Sequence, residues 1–342
     1  MRLDDFDYDL PPELIAQQPA EPRDASRLLV LHRERDCLEH RRFYDLPRYL
    51  QRGDVLVLND TRVLPARLWG RRDGTGARIE VLLLTRSDRD TWEALVRPGR
   101  RVPVGTEIIF GQGELRARAV ALTDAGGRVL QFFCQGGPLE ALLDRLGEMP
   151  LPPYIKTKPA DPGRYQTVYA RVEGSAAAPT AGLHFTPRLL EELQAEGVEV
   201  VYLLLHVGLG TFRPVKAANI EEHHMHAEYY AVTAEAAAAI NAARARGGRV
   251  VAVGTTVVRT LETVTTAGGR VQPGSGWTDI FIYPGYRFKA VDCLLTNFHL
   301  PGSTLIMLVS AFDGRERVLA AYQTAVQERY RFFSFGDAML IL

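Results

Sequence analysis

Three histidines, His184, His206 and His299, each stand where an apolar run gives way to a turn rich in glycine, threonine or proline. An imidazole titrates near neutrality, so it suits proton transfer at a site that excludes bulk water. The segment APTAGLHFT at 178–186 puts Thr180, Gly182 and His184 just before a helix start. Such a turn can present backbone N–H groups and an imidazole to one ligand; the alternative is that Thr186 caps the helix and His184 is hydrogen-bonded in the core. The segment LHVGLGTFRPV at 205–215 ends an apolar strand in His206 and turns through Gly208 towards Thr211. In α/β sheets ligands gather at the carboxyl ends of strands, so His206 and Thr211 are placed for chemistry, although a Gly-x-Gly pair alone can be a bulge. The segment DCLLTNFHLPGS at 292–303 closes another apolar strand with Thr296, Asn297 and His299. Strand ends that each carry histidine or threonine suggest one shared pocket, and hence an enzyme.

Further polar groups cluster nearby. VAVGTTVVRTLE at 251–262 reads as a strand, a glycine turn and a helix start. Its first free amides, with Thr255 and Thr256, can receive a carboxylate or phosphate. It is neither a Walker loop nor a Gly-x-Gly-x-x-Gly dinucleotide turn. Arg259 can help hold the anion, or can simply pair with Glu262, three residues on. EEHHMHAE at 221–228 invites a metal reading, but adjacent histidines seldom converge on one ion. No metal is expected; Glu228 and His226 are candidate polar site residues, with a solvated surface as the alternative. PRDASRLL at 22–29 and GDVLVLNDTRVLPARL at 53–68 supply Asn59, Thr61 and the arginines Arg23, Arg27, Arg62 and Arg67. Guanidinium forks match phosphates; internal pairs with Asp24 and Asp60 are the alternative.

The elements that must position these groups change in texture along the chain. From 68 to 137, short apolar runs at 79–84, 92–96, 108–110, 115–122 and 129–133 are divided by glycines, the pattern of a small antiparallel barrel or sandwich. A helix is predicted over 139–146, and the Pro-rich passage 150–162 reads as an ordered crossing. Beyond it strands are predicted over 198–205, 249–253 and 278–283. Helices are predicted from Thr186–Pro187 to Gly197, over 234–246, over 303–312 and over 316–330. The expected fold class is mixed α/β with two domains: a discontinuous α/β body of residues 1–66 and 147–342, interrupted by a small antiparallel β-barrel at 67–146.

Length and composition agree with that reading. At 342 residues and 46% hydrophobic composition the chain can bury a large core. Formal net charge is zero, so no global field favours a polyanion, but charge is uneven: Arg62 to Arg101 holds ten arginines against five acids. The N-terminal sequence lacks the pattern of a secretory signal, and the longest apolar stretches, 198–205 and 304–312, fall short of the roughly 18 residues that read as a membrane span. Cys37, Cys134 and Cys293 are expected as buried free thiols in a reducing compartment.

The ordered set of these segments, with LPPYI at 151–155, YQTVYA at 165–170 and YRFFSFGDAM at 330–339, resembles the S-adenosylmethionine:tRNA ribosyltransferase-isomerase family across nearly the whole chain. The resemblance implies that the ribosyl part of S-adenosylmethionine is moved and isomerised onto 7-aminomethyl-7-deazaguanine at the tRNA wobble position. Epoxyqueuosine-tRNA forms, with release of adenine and methionine, as a late step of queuosine synthesis. It implies tRNAs for Tyr, His, Asp and Asn as partners, bound at the anticodon loop. No metal or redox cofactor is implied, because S-adenosylmethionine is consumed as a substrate. The remaining expectations are a cytoplasmic monomer, proton transfers by His184, His206 and His299, an anion held by Thr255, Thr256 and Arg259, and a base stacked on Tyr154, Tyr165 or Phe185. Two rival functions are an S-adenosylmethionine-dependent RNA methyltransferase, for which the expected glycine-rich first turn is not found, and a non-catalytic RNA-binding protein.

Overall fold

Central strands buried at every residue build the larger unit as a sheet covered on both faces. A computed structural model describes residues 1–35, 37–123, 126–135, 137–157, 159, 161–208, 215 and 217–342. In chain order the strands are β1 (Arg27–His32), β2 (Cys37–Arg42), β3 (Val55–Asn59), β4 (Thr61–Val63), β5 (Arg67–Arg72), β6 (Arg78–Asp88), β7 (Thr91–Arg97), β8 (Glu107–Phe110), β9 (Leu115–Leu122), β10 (Arg128–Cys134), β11 (Gly147–Glu148), β12 (Val172–Ser175), β13 (Glu199–Leu205), β14 (Glu228–Val232), β15 (Val250–Val253), β16 (Gly274–Thr278), β17 (Cys293–Asn297) and β18 (Ala338–Ile341). The helices are α1 (Leu139–Leu146), α2 (Pro187–Ala195), α3 (Ala234–Ala245), α4 (Thr255–Val264), α5 (Thr304–Asp313) and α6 (Arg315–Gln327).

The chain divides into two units: Met1–Thr61, Pro153–Val172 and Ala178–Leu342, and separately Arg62–Pro152 with Glu173–Ala177. The division falls a few residues from the expected 66/67 and 146/147. Leu64 and Ala66 join the apolar core of the smaller unit, and Gly147–Glu148 pairs with its strand β5. In the larger unit the sheet order is β16-β14-β13-β3-β15-β17-β18-β1-β2. Strands β13, β3, β15 and β17 run parallel, and β18 returns antiparallel to β17. Val55 and Val57 of β3 face a core shared with Ile240 of α3, Leu261 of α4, Met307 of α5 and Tyr322 of α6. Leu56 and Leu58 face the opposite core, with Phe43, Phe185 and Leu189. Strands buried on both faces read as continuous Val/Leu runs, which is what the sequence carries.

The smaller unit is a closed antiparallel barrel. Its strands follow β5-β6-β7-β10-β9-β8, and β8 pairs back with β5. Inward residues Leu68, Ile79, Val81, Leu115, Ala117 and Leu130 form one core with Leu142 and Leu143 of α1.

Two strand expectations are corrected. The predicted strand 278–283 is instead β16 at Gly274–Thr278. A Gly-Ser-Gly sequence serves there because an edge strand needs only backbone pairing with β14, while Ile280, Phe281 and Tyr283 pack against the core from irregular backbone. Closure of the barrel needs β5, which lay outside the short apolar runs because Arg67 and Arg71 flank Trp69 on its outward face and Gly70 sits on its inward one. Cys37 and Cys134 are free but exposed, and only Cys293 is buried as expected. No helix among the described residues is long and apolar enough to cross a membrane.

Candidate active site

The parallel strands β13, β3, β15 and β17 are neighbours, so their carboxyl ends line one edge of the sheet. That edge receives His206 after β13, Asn59 and Thr61 at β3, Gly254 to Thr256 after β15, and Asn297 to His299 at β17. Since adjacent strands lie about 4.8 Å apart, the edge from β13 to β17 extends roughly 14 Å.

His206 keeps one ring nitrogen open. Its Nδ1 lies 2.8 Å from Thr61 Oγ1, its ring stacks on Tyr229 at 6.0 Å, and among the described residues its Nε2 has no hydrogen-bond partner. Burial lowers its pKa, so the neutral, proton-accepting form prevails at neutral pH. Asn59 fixes the backbone beside it. Asn59 Oδ1 accepts from Leu205 N (3.1 Å) and Thr61 N (3.2 Å), while Nδ2 donates to Leu205 O (2.9 Å) and Thr256 Oγ1 (3.3 Å). Every group of that amide is committed, so Asn59 ties β3, β13 and α4 together rather than offering itself to a ligand. Gly254 precedes α4 with φ +88, a region that favours glycine, and no side chain caps the helix. The first-turn amides of α4 and the half-buried Thr256 hydroxyl therefore face the edge as an anion-accepting end.

Arg259 is not free to hold an anion. It is buried and donates to Glu228 Oε2, and its other nitrogens reach Ile280 O (3.3 Å) and Thr278 O (3.4 Å). The alternative Arg259–Glu262 pair is absent too, because Glu262 accepts from Tyr286 OH, Lys289 N and Ala290 N. Glu228 Oε1 also accepts from Gly208 N at 2.8 Å. The buried pair thus clamps the turn after His206 to α4.

His184 lies on the opposite face of the sheet from His299. It is 4% exposed and stacked on Phe43; its Nδ1 is 2.7 Å from Ser26 Oγ and its Nε2 3.2 Å from Asn297 Nδ2. Burial, then the Arg331 and Arg23 charges, lower its pKa to about 3. Asn297 Nδ2 also donates to Phe333 O at 3.1 Å, whereas among the described residues its buried Oδ1 has no partner. Gly182 is required nearby, since a Cβ there would stand 2.0 Å from the Tyr169 hydroxyl. Thr180 is half-buried beside it.

His299 sits with the other core. Its Nε2 is 2.7 Å from Thr296 Oγ1, its backbone N–H donates to Tyr322 OH (3.1 Å), and its carbonyl accepts from Tyr8 OH. Burial lowers its pKa to about 3. Thr296 and Asn297 are consecutive in β17, so they point to opposite faces and carry His299 and His184 with them. Among the described residues no hydrogen bond links the His184, His206 and His299 groups, which are spread along one edge and across both faces. Thr211 lies outside the described residues.

The arginines expected on phosphates are engaged internally. Arg23 donates to Leu183 O and Gly163 O; Arg27 donates to Glu328 O and covers the Tyr330 ring at 3.6 Å; Arg62 pairs with Glu173 and Arg67 with Glu80. Asp24 and Asp60 do form internal pairs, but with Arg188 and Arg171. Tyr165 and Phe185 are fully buried in the core, and Tyr154 is half-buried with its hydroxyl hydrogen-bonded to Ser334. His226 is exposed, and among the described residues no three His, Cys, Asp or Glu converge as a metal site. Sequence reasoning missed Ser26, Phe43 and Tyr229. Ser26 lies 158 residues from the imidazole it contacts, and no local pattern marks it.

Fold and site together define a class: a mixed α/β protein with a closed β-barrel inserted in it and polar residues ranged along the carboxyl edge of a parallel sheet. A family described as "Queuosine biosynthesis protein" matches residues 3–341, and the chain belongs to that family. It is 77% identical to the S-adenosylmethionine:tRNA ribosyltransferase-isomerase of Moorella thermoacetica and 64% identical to that of Symbiobacterium thermophilum, over 100% of each chain. Among solved structures it is similar to an S-adenosylmethionine tRNA ribosyltransferase from Thermotoga maritima, with 44% identity, a TM-score of 0.56, and coverage of 99% of this chain and 100% of that one.

Proposed function

We propose that this protein is an S-adenosylmethionine:tRNA ribosyltransferase-isomerase of queuosine biosynthesis. It transfers the ribosyl part of S-adenosylmethionine to 7-aminomethyl-7-deazaguanine at the wobble position and releases adenine and methionine. Full-length identity of 77% to a relative of that name carries the reading. Its tRNAs are those for Tyr, His, Asp and Asn, engaged at the anticodon loop; it acts as a cytoplasmic monomer and needs no metal or redox cofactor.

The sulfonium charge acidifies the adjacent ribose carbon, and a neutral base beside it can remove the proton. His206 suits that step best, with Nε2 open, Nδ1 held by Thr61 and a lowered pKa. Thr255, Thr256 and the α4 amides hold the methionine carboxylate or a tRNA phosphate. His184 and His299 remain neutral near pH 7 and position the Asn297 and Thr296 strand end. The test incubates the protein with ribose-labelled S-adenosylmethionine and tRNA carrying the precursor base. Label in the anticodon with stoichiometric adenine and methionine is expected; S-adenosylhomocysteine would mark a methyltransferase, and no product a binding protein.

A further inference from the structure

The outward side chains of the barrel hold an uncompensated row of arginines. Arg78 of β6 stands directly opposite Arg71 of β5. Arg71 is in turn level with Ile109 of β8, Ile109 with Arg116 of β9, and Arg116 with Phe133 of β10. Like charges placed directly opposite one another in a sheet destabilise it, so folding alone gives no reason for this pairing. Three acids on the same outer face are already committed: Glu80 to Arg67 at 3.2 Å, Glu107 to Arg118 at 2.5 Å and Glu114 to Arg145 at 3.1 Å. Among the described residues Arg71, Arg78 and Arg116 have no acidic partner, and the Nε of Arg116 is buried without any hydrogen bond. The Arg78 guanidinium lies 4.0 Å over the Trp69 ring, whose N–H donates to Glu148 Oε2 at 3.2 Å. That fork is therefore held in place before any ligand arrives. At about 4.8 Å per strand, the three arginines span roughly 14 Å.

From this charge pattern we infer that the outer wall of the inserted barrel grips the phosphodiester backbone of the substrate tRNA through Arg71, Arg78 and Arg116. Planar guanidinium forks match phosphate oxygens bidentately, and a row of this length can meet successive phosphates. An RNA fits better than an acidic protein because the row is flanked by exposed flat rings, Trp69 (37% exposed) and Phe133 (43%), on which unpaired bases can stack. The inference rests on the reading that tRNA is the substrate, and it gives the barrel its task.

The experiment measures tRNA affinity of the full-length protein between 50 and 200 mM salt for wild type, R71A/R78A, R116A and R71K/R78K. R145A, at an arginine already paired with Glu114, is the control. R71A/R78A should weaken tRNA binding about tenfold and reduce the log–log salt slope by about two, because each phosphate contact contributes about 0.9. R116A should reduce the slope by about one. R71K/R78K should keep the slope, and R145A should match wild type. In turnover, R71A/R78A should raise KM for tRNA while leaving KM for S-adenosylmethionine and kcat at saturating tRNA unchanged. Unchanged affinity and slope in R71A/R78A and R116A, with normal wild-type turnover, would overturn the barrel's role and leave the activity standing. So would variants that lose only binding to polyglutamate, the mark of a surface for acidic proteins. A wild-type protein that releases no adenine would instead refute the underlying activity.

Discussion

His206 keeps one ring nitrogen open because Thr61 engages only Nδ1, whereas His184 has both nitrogens committed, to Ser26 and Asn297. The two imidazoles therefore separate under mutation. His206→Asn removes the proton acceptor while leaving a polar side chain, so kcat should fall about a hundredfold or more with little change in the unfolding midpoint. His184→Ala should act first on stability, by about 1–3 kcal/mol, because it opens space beside Phe43 and leaves buried Ser26 and Asn297 short of partners. Steady-state kinetics paired with urea unfolding separates these outcomes; an His206→Asn enzyme with wild-type kcat would remove His206 from the chemistry. The sequence disclosed the histidines, since each stands where an apolar run meets a turn. What the His184 and His206 rings touch was hidden, because Ser26 and Thr61 reach them from distant segments, whereas the His299 ring bonds Thr296, three residues away. The pull of local spacing also made Arg259–Glu262 look like a pair, when the buried partner is Glu228, across the sheet.

The turn after β13 and helix α4 are joined at the element scale by that Glu228–Arg259 pair, which buries a carboxylate accepting from Gly208 N and a guanidinium bonded to two carbonyls. Removing one partner strands the other charge in the interior, which typically costs 3–5 kcal/mol, far more than an exposed ion pair. Arg259→Ala should therefore destabilise the protein by about that amount, and a Glu228→Gln/Arg259→Met double variant should recover part of it. Denaturant unfolding reads both, and an Arg259→Ala protein as stable as wild type would disprove the clamp. Gly182→Ala tests a second junction: a methyl 2.0 Å from the Tyr169 hydroxyl forces that ring or the turn before α2 to move. The expected outcome is loss of both stability and turnover, measured on the same preparation. Most elements were legible because burial on both faces leaves continuous Val/Leu runs, and Thr186, Thr233 and Ser303 cap α2, α3 and α5 as their side chains predict. The exceptions obey another rule. Two of the strands that were not marked, β5 and β16, are specified by backbone pairing to their neighbours, so arginine, glycine and serine largely fill them and apolar periodicity cannot mark them.

Burial of histidine without a charged partner has a consequence for the whole molecule's response to acid. Buried His184 has a pKa of about 3 when folded, and an unfolded histidine titrates near 6.5, so the unfolded chain takes up the proton first as pH falls. Stability is therefore complete above about pH 6.5 and declines towards pH 3, at about 1.4 kcal/mol per pH unit for His184 alone. His299, also lowered to about 3, and His206, shifted the same way, act in the same direction. Asp60 opposes them: burial raises its carboxyl pKa, so its folded form takes up a proton before its unfolded one. Between pH 5 and 6.5 ordinary carboxylates stay ionised, and the histidines dominate the slope. Urea unfolding across that window should show stability rising with pH and then levelling off. A His184→Gln protein, lacking the titrating ring, should lose about 1.4 kcal/mol per pH unit of that slope. A wild-type protein equally stable at pH 5 and 6.5 would mean that these imidazoles admit water and protons in the folded state, and that the sheet edge is less sheltered than their contacts indicate.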